Sequence, residues 1–156
     1  MCLCALTAAL YAAITIAAAP LSYGMVQFRI SEALVVLCRF EPTLSLGLTL
    51  GCLIANFFST VTALDAAVGT AATAIACFLT VKVRNDYLAP LANVLVNTVL
   101  IGGMLAYVLF PEDPAAGFAA AALQVGIGEL AVMYGLGLPL LLFARKTNFI
   151  GKLTGT

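Results

Sequence analysis

Apolar residues in this chain do not alternate with polar ones; they run in long blocks separated by short polar or proline-containing breaks. Six blocks stand out, at residues 3–19, 30–38, 44–58, 64–81, 87–110 and 118–143. The breaks carry turn and helix-stop chemistry: Pro20 with Ser22-Tyr23-Gly24, Glu41-Pro42, Lys82 with Arg84, Pro111-Glu112-Asp113-Pro114, and Arg145-Lys146. A helix that crosses a hydrocarbon core of roughly 30 Å needs about 20 largely apolar residues. Five blocks approach that length. The second, between Arg29 and Arg39, rises only about 14 Å at 1.5 Å per residue, near half a bilayer. That crossing is therefore expected to be short or to take in polar residues. Residues 1–156 read as a single integral membrane domain, all-α, folded as a compact bundle of six transmembrane helices.

Composition narrows the picture further. Of 156 residues 63% are hydrophobic and 9% charged, and mean hydropathy is +1.13, values of a chain dissolved in lipid. The seven basic and seven acidic residues cancel, which argues against a nucleic-acid partner, since phosphate binding needs an excess of Lys and Arg. Basic residues also set orientation, because they are retained on the cytoplasmic side of span ends. With both termini cytoplasmic, Arg39, Lys82, Arg84, Arg145, Lys146 and Lys152 fall inside and Arg29 alone falls outside. The expected protein is multi-pass in the cell membrane, with Glu112-Asp113 and residues 21–28 facing outward.

This topology assigns a depth to each polar residue. Glu32, Asp65 and Gln124 lie near the outer ends of descending segments, and Glu129 lies near mid-depth. Asn56 is near the outer end of the third segment, Asn97 near the middle of the fifth, and Asn93 deeper. A charge at mid-membrane costs about 2.5–3.5 kcal/mol on insertion scales, so Glu32, Asp65 and Glu129 are expected to line a pocket that opens outward. Interhelical hydrogen bonding is the competing role for such groups. Arg29 and Glu32, three apart, share a helix face and can also simply pair with each other.

Other chemistry is not legible. There is no GxxxxGK[ST] loop to hold ATP, no histidine, no GxSxG and no HExxH. No enzyme, cofactor or metal site is expected. Cys2, Cys4, Cys38, Cys52 and Cys77 lack metal-ligand spacing and read as small apolar fillers. Ala5, Ala9, Ala13 and Ala17 recur every fourth residue in the first segment, with Ala8 and Ala12 beside them. Small residues at that spacing let another helix approach closely. Spacing alone leaves open whether that helix is internal or belongs to a partner.

The runs APLSYGMVQFRISEALVVL, GLTLGCLIANFFS, LDAAVGTAAT and GELAVMYGLGLPLLL resemble the QueT-like queuosine-precursor transporters, over nearly the whole chain. The resemblance implies the substrate-binding S component of an energy-coupling factor (ECF) transporter. Such a subunit captures a scarce solute outside the cell and docks, through small residues of its first helix, onto an EcfT-like membrane subunit that carries two EcfA-like ATPases. It further implies a queuosine precursor as ligand, either queuine or its aminomethyl-deazaguanine precursor. A guanine-like ring offers paired N–H donors, a carbonyl and a flat face. Glu32, Asp65 and Glu129 would then be acceptors, Gln27, Arg29, Asn97 and Gln124 donors, and Tyr23, Phe28 and Tyr107 stacking faces; Ala5, Ala9, Ala13 and Ala17 would form the docking stripe. The alternative is a self-sufficient carrier or channel that needs no ATPase. Inverted repeats with interrupted helices would favour that reading, and the two halves show no convincing similarity.

The topology has a direct check. Single cysteines placed at Lys82 and at Glu112 in a cysteine-free background should react with an impermeant maleimide from opposite sides of the membrane. Labelling of both from outside intact cells contradicts the depth assignments.

Overall fold

The computed structural model describes residues 2–22, 28–58, 63–148 and 151. Its ordered elements are α1 (Cys2–Ala17), the short α2 (Ala19–Ser22), a 3-10 helix (Ile30–Arg39), α3 (Leu44–Asn56), α4 (Ala63–Lys82), α5 (Ala89–Leu109), α6 (Pro114–Val132), a π-helical turn (Met133–Gly137) and α7 (Leu138–Thr147). No strand occurs among the described residues. The apolar blocks correspond to helical stretches, with two of the expected breaks displaced: the first helix stops at Ala17 and Pro20 lies within the short α2, and the last helix runs through Arg145-Lys146 to Thr147. Three helices are long and apolar enough to cross a membrane, Leu64–Lys82, Ala89–Leu109 and the continuous Pro114–Thr147; Cys2–Ala17 and Leu44–Asn56 are apolar but shorter.

The second block departs most from simple expectation. Its ten residues wind as a 3-10 helix, which rises about 2.0 Å per residue and so spans about 20 Å, against about 15 Å as an α-helix. Every side chain from Ser31 to Cys38 is buried, and the helix touches α1, α3, α4, α5, α6, the π turn and α7. It is the axis of the bundle. A segment sheathed in protein does not have to satisfy lipid, which is why nine residues with Ser31 and Glu32 among them suffice.

One end of this axis is tied to the start of α4 and the other to the connection that follows α4. Arg29 Nη2 donates to Asp65 Oδ1 at 2.9 Å, in the first turn of α4. At the other end Arg39 Nε donates to Asp86 Oδ1 at 3.0 Å, its Nη2 to the Arg84 carbonyl at 2.6 Å, and its Nη1 to the Val83 carbonyl. Asp86 also pairs with Arg145 of α7. From Asp65 to the end of α4 at Lys82 is about 26 Å at 1.5 Å per residue, and the Arg39 partners lie just beyond. An α-helical 30–39 would reach about 15 Å, and the 3-10 winding extends that to about 20 Å.

Around the axis, consecutive helices lie side by side, α1 with α3, α3 with α4, α4 with α5 and α5 with α6. Small residues set the closeness. A Cβ on Gly51 of α3 would stand 2.6 Å from the Ala8 carbonyl oxygen and 2.9 Å from Tyr11 Cβ, both on α1. On α5 a Cβ on Gly102 would stand 2.8 Å from Ala122 Cα of α6. Such approach lets van der Waals contact hold helices together where lipid offers no hydrophobic drive. Large apolar side chains point outward instead, among them Leu6, Leu46, Leu50, Phe57, Phe78, Leu95, Leu123 and Phe143.

The last helix carries a single wide turn. Pro139 has no N–H for the carbonyl four residues back, and Leu138 N–H bonds to the Met133 carbonyl five residues back. The turn accommodates the proline without breaking the rod, and Gly137 lies under Val36 of the axis, where a Cβ would meet Val36 Cγ1 at 3.4 Å.

Close packing of α1 on α3 yields a stability prediction. Gly51→Ala should destabilise the purified protein by about 1–3 kcal/mol, because backbone rather than a movable side chain blocks the new methyl. Gly135→Ala, with nothing within 4 Å, should leave thermal unfolding in detergent unchanged or raised. Equal melting of both variants refutes the close-packing argument.

Candidate functional site

Polar side chains collect at the Arg29 end of the axis, on five elements. Arg29 stands just before the 3-10 helix and is 3% exposed; Asp65 is fully buried. Asn56, at the C-terminus of α3, donates from Nδ2 to the Asp65 carbonyl at 3.1 Å. Gly69 makes room for this group: a Cβ there would stand 2.5 Å from Asn56 Nδ2 and 3.2 Å from Arg29 Nη1. Arg29 is thus paired with Asp65 and not with Glu32, so the i, i+3 pair that spacing allows does not form. The 3-10 winding brings residues three apart into line, but Asp65 lies across the helix interface and takes the guanidinium.

Glu32 sits one turn further in and is fully buried. The Tyr11 hydroxyl of α1 donates to its Oε1, and the Thr73 hydroxyl of α4 lies 3.1 Å from the same oxygen. Thr73 is also 3.2 Å from Cys52 Sγ, whose sulfur accepts from Asn56 Nδ2 at 3.3 Å. Above Glu32 the Thr15 and Ser31 hydroxyls are 2.6 Å apart. Glu32 Oε2 has no hydrogen-bond partner among the described residues.

Glu129 enters from α6 and is 2% exposed. Asn93 of α5 donates from Nδ2 to its Oε2 at 3.0 Å. Asn97, one turn on, also adjoins this carboxylate, yet its Nδ2 makes no hydrogen bond of good geometry, and Asn93 Oδ1 is likewise unpartnered. Glu32, Glu129 and the Arg29 guanidinium lie within electrostatic reach of one another. Among the described residues neither Glu32 nor Glu129 forms an ion pair.

Among the described residues, charge and valence therefore do not balance at this cluster. Three buried carboxylates face one guanidinium, and that guanidinium is spent on Asp65. Orphaned buried polar atoms are rare in folded proteins and call for a reason. Here they are neighbours: an oxygen of Glu32, an oxygen of Asn93 and a nitrogen of Asn97, beside a carboxylate with acceptor capacity to spare. Such a set can take a polar solute that brings several N–H donors and at least one acceptor. The described residues hold no cluster of His, Cys, Asp and Glu suited to a metal ion.

Of the residues singled out in the sequence, Arg29, Glu32, Asp65, Asn97 and Glu129 converge. Gln124 is partly buried on α6 but stands five residues before Glu129, off its face. Tyr107 is 68% exposed on α5 and points away from the cluster; depth does not tell inside from outside, and α5 turns that position outward. Tyr23 and Gln27 lie outside the described residues. Asn93, set apart in the sequence by its greater depth, is bonded to Glu129. Tyr11, Thr73 and Cys52 were not singled out for the site, although Thr7, Tyr11 and Thr15 recur every fourth residue of the first helix. Those three are buried, with Ala8 and Ala12, while Ala5, Ala9, Ala13 and Ala17 are all exposed. The first helix thus carries two small-residue faces, one used within the bundle and one uncovered.

No curated protein and no solved structure matches the chain. The family model described as QueT transporter matches residues 1–146, which takes in every element of the fold from α1 to the end of the π turn and most of α7. With its apolar helices and its buried, unbalanced polar cluster, the chain belongs to the QueT transporter family.

Proposed function

We propose that this membrane transport protein is the substrate-binding S component of an ECF-type importer and captures a queuosine precursor, queuine or aminomethyl-deazaguanine, from outside the cell. The observation that carries this reading is the pair of buried carboxylates, Glu32 and Glu129, that have no cationic partner among the described residues and stand beside unpartnered amide atoms. A deazaguanine brings what the cluster lacks: adjacent ring and exocyclic N–H donors, an amine on its side chain, and a carbonyl that accepts from an amide such as Asn97. Six spans with both termini cytoplasmic put the cluster in the outer half of the bilayer.

Energy has to come from elsewhere, since the chain has no nucleotide-binding loop. The uncovered stripe of Ala5, Ala9, Ala13 and Ala17 supports docking of α1 on an EcfT-like membrane subunit bearing two EcfA-like ATPases, because the bundle's own contact with α1 uses the opposite face, against Gly47 and Gly51.

Two tests follow. Glu129→Gln replaces an acceptor with a donor at constant shape, and should cost at least about tenfold in affinity for aminomethyl-deazaguanine, about 1.4 kcal/mol; Glu32→Gln should do the same. Isothermal titration of the purified variants checks this, and parental affinity in both folded variants sinks the ligand assignment. Ala9→Leu and Ala13→Leu should bind ligand normally yet fail to support uptake in cells that express the energising subunits. Loss of binding in both would mean that the stripe belongs to the bundle after all.

A further inference from the structure

The two buried carboxylates differ in what they can offer, and the difference assigns them separate tasks. A carboxylate has about four acceptor positions, two on each oxygen. On Glu32 one oxygen is crowded: Oε1 faces both the Tyr11 hydroxyl and the Thr73 hydroxyl, the latter at 3.1 Å. Its other oxygen, Oε2, is buried and has no partner among the described residues. Two hydroxyls on one oxygen also fix the plane of the group, so Glu32 presents a single oxygen in a set direction. Glu129 is held from one side only, by Asn93 Nδ2 on Oε2 at 3.0 Å, with Asn97 alongside. Both of its oxygens retain acceptor capacity.

Pairs of parallel N–H donors need two oxygens of one carboxylate, whereas an ammonium group is a point donor that is content with one. We propose that Tyr11 and Thr73 are positioning residues that saturate Oε1 of Glu32, so that Glu32 reads the amine on the ligand's side chain while Glu129 takes the paired N–H edge of its ring. This rests on the reading of the cluster as a deazaguanine site and divides that site in two. The bare Oε2, with no cation of the chain paired to Glu32 among the described residues, favours a positively charged group over a neutral donor there. Tyr11 is fully buried and reaches Glu32 from α1, so the first helix contributes to selectivity and not only to packing.

The test uses two probes that differ only in the side-chain amine, 7-aminomethyl-7-deazaguanine and 7-methyl-7-deazaguanine, titrated into the purified full chain. The parent should prefer the aminomethyl probe by about tenfold or more, as expected for a hydrogen bond between charged groups. Glu32→Gln should abolish the preference and leave the methyl probe's affinity within about twofold; Glu129→Gln should weaken both probes alike. Tyr11→Phe, which keeps the ring, should reduce the preference at least about threefold with the methyl probe unchanged, because a second free oxygen lets Glu32 turn away. Where Tyr11→Phe does not fold, Thr73→Val removes the other hydroxyl and carries the same expectation. A Tyr11→Phe variant that loses both probes equally, or neither, overturns the positioning role while Glu32→Gln still upholds the site. Parental binding of both probes by Glu32→Gln and Glu129→Gln overturns the site itself.

Discussion

A charged 3-10 helix, buried from Ser31 to Cys38, is the constraint that the rest of the bundle answers to. Over that stretch no side chain meets lipid or water, so each buried polar group must find a partner on a surrounding helix or remain unpaired at a cost of about 1–3 kcal/mol. Arg29 and Arg39 solve the problem at the two ends, Arg29 at Asp65 in the first turn of α4 and Arg39 just beyond the end of α4, at Asp86 with the Val83 and Arg84 carbonyls. A buried ion pair adds little net stability, because desolvation offsets most of the attraction, but removing one partner is costly. What these pairs supply is register: they fix how far the axis is stretched, and with it the depth at which Glu32 is held.

Once the ends are fixed, the interior cluster follows. Arg29 is used up by Asp65, so among the described residues the carboxylates of Glu32 and Glu129 are held by hydroxyl and amide groups alone, from α1, α4 and α5. A protein built only for stability would not keep two such groups in its core without a counter-charge. On the function proposed above, the imbalance is the part of the structure that a solute would complete. The glycines that bring α1 against α3 and make room for Arg29 serve the same end, because Tyr11 reaches Glu32 only if the helices touch.

Much of this was legible from the order of residues. Block lengths and proline or polar breaks gave the helices, since both are local properties, and the cost of charge in lipid singled out Glu32, Asp65 and Glu129. The 3-10 winding was not legible, because it depends on anchors more than thirty residues away in sequence. Nor was the partner of Arg29: spacing offers Glu32, and only the approach of α4 brings Asp65 nearer. Tyr107 illustrates the opposite error, in which depth without facing suggests a role that an exposed position on α5 does not support. Asn93 shows that a residue one turn deeper can still reach the cluster through Glu129. In the first helix, spacing identified an alanine stripe but could not say which face it served; the polar stripe Thr7, Tyr11 and Thr15 was the missing signal, for it marks the inner face and so leaves the alanines outside.

The π turn at Met133–Gly137 has a consequence for how the chain can change over time. A turn of this kind is an α-helix that has taken up one residue too many, and Pro139 lacks the N–H that regular winding would use there. Because the extra residue is absorbed inside the wide turn, the helix beyond keeps the facing that regular winding one residue shorter would give it. That facing buries Leu141 and Ala144 and brings Arg145 to Asp86, to which the end of the axis is tied. One residue more or fewer elsewhere in this rod, with no wide turn to absorb it, would rotate everything beyond by about 100° and carry those three side chains off their partners.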